Sequence, residues 1–191
     1  MQTTLDTDID IINAALAATG NALITSLEDG TAEAAVAATN YERILGEALA
    51  YPWTWTLTTR RLNRIDGATQ TAFTVAYQVP AGMEIERVEV RGRPIPWESM
   101  SDLILCNAED DVVAVGRWRP PVRKWPPDFR NALALRLEAL FLRALGEAHG
   151  EAAARDDRAD AALRRAWNVD SRKRSPRAPG RSALIEARRH G

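Results

Sequence analysis

The chain has 191 residues, 46% hydrophobic and 27% charged, with a formal net charge of -1, the make-up of a globular fold of one domain, or of one domain carrying an insertion and a tail. No run of about 18 apolar residues occurs, so no membrane partner is expected. The acidic start MQTTLDTDIDII lacks the basic region of a signal peptide. The single Cys106 excludes an internal disulfide and fits a reducing compartment at synthesis.

Leu5, Ile9, Ile12 and Leu16 recur at helical spacing, so residues 6–18 are predicted to form an amphipathic helix begun by Asp6 or Thr7 and ended at Gly20. SLEDGT, residues 26–31, reads as a turn, with Thr31 capping a second helix over 32–50. Its stripe is Ala37, Tyr41, Ile44 and Ala48, and Pro52 stops it. Residues 1–50 are acidic, with eight carboxylates against Arg43 alone.

From Trp53 the hydrophobic period changes to two. Trp55 alternates with Leu57; Phe73, Val75, Tyr77 and Val79 alternate with Thr74, Ala76 and Gln78; Val88 and Val90 sit between charged neighbours. Short apolar runs follow at Leu103–Cys106 and Val112–Val115, with turns at Gly67, Gly82, Gly92 and the acidic AEDD. This pattern predicts a small antiparallel sandwich or barrel that leans on the helices beside it.

Pro126 and Pro127 open a third helix, with Asp128 near its positive end. Leu133, Leu137, Leu140 and Ala144 form one stripe, widened by Leu135, Phe141, Leu142 and Leu145. A helix so apolar should be the central strut. Past Gly150 an alanine-rich helix is predicted to about Trp167, with Glu151–Arg155 and Asp160–Arg164 as i, i+4 pairs.

Residues 171–191 hold seven bases against Glu186, with Ser, Pro and Gly and no periodicity before SALIEARRH. Alone such a segment is expected to be disordered, with Ala183, Leu184 and Ile185 as an apolar anchor that orders on a partner. The opposed charges of the two ends suit a chain that meets different neighbours, or further copies of itself, at each end.

The predicted fold class is therefore α+β: a four-helix bundle from residues 1–51 and 126–169, an inserted small antiparallel β-domain over 52–125, and an extended basic C-terminal arm over 170–191. Trp53, Trp55 and Trp125 fall where the chain enters and leaves the β-domain. They are read as its seam against the bundle.

Catalysis finds no support in the residue types. Of the two histidines, His149 reads as a C-terminal helix cap before Gly150, and His190 is penultimate. Cys106 follows LIL in a strand and reads as a small core residue. Glu109, Asp110 and Asp111 make a tight acidic turn and not a spaced calcium loop, and no metal-ligand cluster or phosphate-binding glycine motif occurs. No catalytic, metal or cofactor-binding residue is assigned, and no cofactor is expected. The tail arginines, with Arg60, Arg61 and Arg64, would suit phosphate. No nucleic-acid-binding module is present, however, and no aromatics interleave with the tail. A tail docking in an acidic groove of a protein accounts for it at least as well.

DIINAALAATGNALITSLEDGTAEAAVAATNYERILGEALAYPWTW resembles the N-terminus of head-to-tail adaptor (connector) proteins of tailed phages, of the tail tubular protein A type. That group shares two helices around an I.SL.DGT..A turn, then a helix ending in PW.W. YQVPAGMEIERVEV is similar to its central β segment, and WPPDFRNALALRLEALFLRAL to its long helix entered through P..F..AL. The similarity covers residues 9–149 in order. Gene transfer agents, the phage-like particles encoded by bacterial genomes, carry a related adaptor.

The resemblance implies a non-enzymatic ring of twelve copies between the portal protein and a downstream tail or stopper protein, at the head–tail junction of a virion or phage-like particle. The chain would be made in the bacterial cytoplasm. DNA would pass through the lumen without being read, and heterologous contacts suit opposite charges at the chain's ends. On this reading Arg172, Lys173, Arg174, Arg177, Arg181, Arg188 and Arg189 would grip acidic grooves of the portal, and Leu184 and Ile185 would fill an apolar pocket beyond them. The alternative is a non-enzymatic DNA-binding or packaging accessory that uses the basic tail. A cell-wall hydrolase of the same particle, acting through Glu138 or Glu147, stands further off.

Overall fold

A computed structural model describes residues 5–66 and 72–173. Helix α1 (Asp8–Ala18) starts at Thr7, whose hydroxyl accepts from the Asp10 N–H at 3.1 Å, while the Asp10 carboxylate accepts from the Thr7 N–H at 2.8 Å. This reciprocal box satisfies two donors that the first turn would otherwise leave open. Asn13 then binds both the N–H and the C=O of Ile24, at 2.9 and 2.8 Å, and so pins the following loop onto α1. In the SLEDGT turn the Asp29 carboxylate accepts from the Thr25 N–H and hydroxyl. Thr31 caps α2 (Ala32–Leu49) through the Ala34 N–H.

Pro52 ends the helical run, but the residues after it do not yet form a strand. Thr54–Thr56 make one 3-10 turn, and Trp55 lies in it rather than in an alternating strand. The strands follow: β1 (Leu57–Arg61), β2 (Asn63–Ile65), β3 (Val75–Gln78), β4 (Met83–Val90), β5 (Arg93–Pro94), β6 (Glu98–Met100), β7 (Leu103–Cys106) and β8 (Val112–Trp118). They build two four-stranded antiparallel sheets, ordered β1-β8-β4-β5 and β2-β3-β7-β6. The chain changes sheet at Leu62, and inward side chains of both sheets, among them Val75, Val88, Ile104, Cys106 and Ala114, share one core. β4 carries a bulge between Ile85 and Arg87, opposite Gly116 of β8. A Cβ on Gly116 would lie 2.0 Å from the Glu84 carbonyl oxygen, so the close backbone approach there requires glycine.

A second 3-10 turn (Val122–Lys124) leads into α3 (Pro127–Ala144), with proline in its first turn, where the missing N–H costs nothing. α4 (His149–Ser171) returns along it. His149 therefore opens α4 and does not cap the C-terminus of α3, which ends at Ala144. α4 continues past Trp167, so residues 170 and 171, expected to begin the arm, are its last turn.

The four helices do not form the expected four-helix bundle with an inserted β-domain. α3 is a hub on which α1, α2 and α4 each pack. The cause lies in how each helix distributes its apolar residues. α3 buries Phe129, Ala132, Leu133, Leu137, Ala139 and Phe141 around much of its circumference, whereas α1, α2 and α4 each bury a single stripe. The helical core is also completed by the segments that flank the strands. Trp53, Val122 and Trp125 belong to the same apolar cluster as Ile11, Leu45 and Phe129. The fold is thus α+β, with four helices around a hub and two small antiparallel sheets. The expected extended arm falls, from residue 174 onward, outside the described residues.

The predicted pairs along α4 are replaced by pairs across the α3–α4 hairpin. Arg155 reaches Glu138 at 2.9 Å in place of Glu151, and Asp160 pairs with Arg136 in place of Arg164. Arg136 and Arg143 also hold Asp156, at 3.0 and 2.6 Å. A partner on the facing helix is held by packing, so less side-chain entropy is lost per pair than on a free surface.

Candidate functional site: the tryptophan seam and the end of α4

Trp53, Trp55 and Trp125 meet around one ring, that of Phe129 at the start of α3. Its centroid lies 5.1 Å from Trp53, 5.1 Å from Trp55 and 5.4 Å from Trp125, each nearly edge-on. Edge-to-face contact places the positive rim of one ring on the negative face of another. Trp53 and Trp125 are buried, and each indole N–H finds a carbonyl five residues back: Ala48 at 2.8 Å and Pro120 at 2.7 Å. Trp55 is half-buried, and its indole nitrogen is enclosed without a hydrogen-bond acceptor. Phe129 is missing from the sequence reading of the seam, yet it stands four residues before Leu133 on the stripe already recognised, which is the signal that could have found it.

Two arginines tie the seam to its surroundings. Arg117, from β8, donates to the Trp53 carbonyl at 2.9 Å and to the Thr56 hydroxyl at 3.1 Å, and pairs with Glu86 at 2.6 Å. Arg119 lies over the Trp125 ring at 5.7 Å and holds Asp8 of α1 and Glu42 of α2 at 3.1 and 2.8 Å. Burial weakens its charged form, but the hydrogen bonds and charges of Glu42 and Asp8 outweigh that and raise its pKa further. Tyr41 donates to Asp8 at 2.5 Å, and burial together with that acceptor pushes its phenol far above the usual tyrosine range.

The C-terminal end of α4 is anchored to the same place. Asp170, 2% exposed, accepts from both the N–H and the hydroxyl of Thr54, one residue from Trp53. Trp167, one turn earlier, lies 5.9 Å from Tyr51. Of the residues expected to bind a portal, Arg172 and Lys173 are exposed just past this anchor, and Lys173 lies 3.5 Å from Asp170. Arg174, Arg177, Arg181, Leu184, Ile185, Arg188 and Arg189 lie outside the described residues. Asp170 continues the buried stripe of Leu163 and Ala166, so a carboxylate at an apolar position was its sequence signal.

The groups weighed for catalysis lie apart from this site. Cys106 is buried in β7, with its thiol pushed up by burial, while His149 is exposed at the start of α4. Burial likewise raises the Glu138 carboxyl, against the pull of Arg155 and Arg158. Among the described residues no group of three or more His, Cys, Asp or Glu side chains could hold a metal ion, and no helix is long and apolar enough to cross a membrane.

No protein-family model matches the chain, and no curated protein matches it either.

Proposed function

We propose that the chain is a structural head-to-tail adaptor. Copies form a ring, twelve by the resemblance, between the portal and a tail or stopper protein of a phage-like particle, and DNA passes through the lumen. The observation that carries this reading is the meeting of two of the segments on which the resemblance rests. The DGT turn caps α2 through Thr31, PWTW supplies Trp53 and Trp55, and P..F supplies Phe129, on which both rings pack. Such a likeness resides in a scaffold, as a connector requires, and not in a set of reacting groups.

The basic arm, from Arg172 onward, is the portal-binding element in this account. Its first residues, Arg172 and Lys173, follow the anchored Asp170. Arginine suits the task because its planar fork grips carboxylates at two points and stays charged. The test is to image purified particles carrying the chain with a compact electron-dense label. A ring of label at the head–tail junction supports the adaptor. Label inside heads, together with salt-dependent DNA affinity of the isolated chain, supports a DNA-binding accessory instead.

A further inference from the structure

α4 presents a second pattern on its outer side. Arg158, Ala162, Arg165, Val169 and Arg172 follow one another at alternating spacings of four and three residues. These positions share one face of the helix, and that face runs for roughly 21 Å. Ala162 packs against the edge of the helical core, while the three arginines are exposed and Val169 is 51% exposed. Among the described residues none of these arginines makes an ion pair within 4 Å, although the charge of Arg158 acts on Glu138, whereas Arg136, Arg143 and Arg155 in the same hairpin all do.

Beside the stripe, α3 and α4 enclose a groove of about 420 Å³, floored by Leu135, Ala162, Ala166 and Val169, with Asp128 and Arg165 on its rim. Asp128 stands in the first turn of α3, where the positive end of the helix offsets part of its charge. Arginines seven residues apart on one helix are about 10.5 Å apart, the spacing of carboxylates seven apart on a second helix. A nucleic-acid backbone would satisfy the arginines but leave Leu135 and Val169 wet. A partner helix satisfies both.

We propose that this face docks an acidic amphipathic helix of a partner protein, its apolar seam against Leu135, Ala162 and Val169 and its carboxylates, at seven-residue spacing, against Arg158, Arg165 and Arg172. The proposal does not depend on the adaptor reading. Arg172, which both invoke, is left out of its test.

The test uses the full-length chain and a labelled three-heptad peptide with Leu and Glu alternating along one seam, followed by fluorescence anisotropy. Controls are a scrambled peptide of the same composition and a DNA duplex. The ordered peptide should bind at least about tenfold more tightly than the scrambled one. Val169→Asp and the pair Arg158→Glu with Arg165→Glu should each remove that advantage. A peptide with Lys in place of Glu should recover it on the charge-reversed protein. The proposal is overturned if the scrambled peptide binds as well, if Val169→Asp changes nothing, if the duplex is preferred to the ordered peptide, or if the ordered peptide fails to bind at millimolar concentration.

Discussion

The Asp170 carboxylate, near the end of α4, holds Thr54 by two hydrogen bonds, 2.5 Å to its N–H and 2.7 Å to its hydroxyl, across 116 residues of sequence. This contact joins the last helical turn to the loop that carries Trp53 and Trp55. It fixes where α4 ends.

Asp170→Ala should therefore lower the stability of the isolated chain by about 1–3 kcal/mol, because it leaves the Thr54 donors without their acceptor. Asp170→Asn, which can still accept one of the two bonds, should cost less. Urea denaturation measures both. An unchanged midpoint for Asp170→Ala would show that α4 is held by its packing on α3 alone.

The tryptophan seam makes a graded prediction. Trp53, 1% exposed and hydrogen-bonded, should cost about 3–5 kcal/mol when cut to alanine. Trp55→Ala, at a half-buried ring, should cost less but still lower the melting temperature of the monomer. Should Trp55→Ala melt like the parent chain yet block particle assembly, Trp55 is a partner contact and not part of the seam.

Local chemistry made much of this fold legible. Thr7 and Thr31 cap where short hydroxyls precede apolar stripes, Pro127 sits in the first turn of α3, and the period-two run around Tyr77 and the short apolar runs at Leu103–Cys106 and Val112–Val115 are strands. What could not be read depends on contacts distant in sequence. Arg155 and Asp160 had partners at i, i+4 spacing, and only the approach of α3 offered Glu138 and Arg136 instead. The hub arrangement was hidden for the same reason: periodicity shows that α3 is apolar on most sides, but not which helices cover it. Of the seam, the three tryptophans were legible as large rings at junctions. Phe129 and Asp170, which hold them, left only their positions on helical stripes as a signal, and Arg119 became visible only through packing.

Gly116→Ala should destabilise the sheet of β1, β8, β4 and β5. The added methyl would meet the Glu84 carbonyl at 2.0 Å, and backbone on both sides of the bulge cannot yield as a flexible side chain would. A loss of about 1–3 kcal/mol is expected, with amide exchange accelerating first in β4 and β8. Parent-like exchange in those strands would mean that the bulge relaxes without cost.

The α3–α4 hairpin should be acid-sensitive. Burial pushes the Asp156 carboxyl up, but the hydrogen bonds and charges of Arg143 and Arg136 outweigh it and hold it below the usual aspartate range. A folded pKa below the unfolded one contributes stability that is complete above the ordinary aspartate value, and that stability is lost as pH falls through the folded value. Asp156→Asn should thus be less stable than the parent near neutral pH and converge with it in acid. Denaturation midpoints at several pH values test this, and parallel curves would contradict it.

The adaptor account is tested most directly by removing the arm from particles. A chain lacking residues 174–191 keeps α4, Asp170 and the whole seam, so it should fold and melt like the parent. Particles made with it should appear as filled heads without tails, or as heads that leak DNA. Tailed particles in normal yield would contradict the account and leave the arm without a part in joining head to tail.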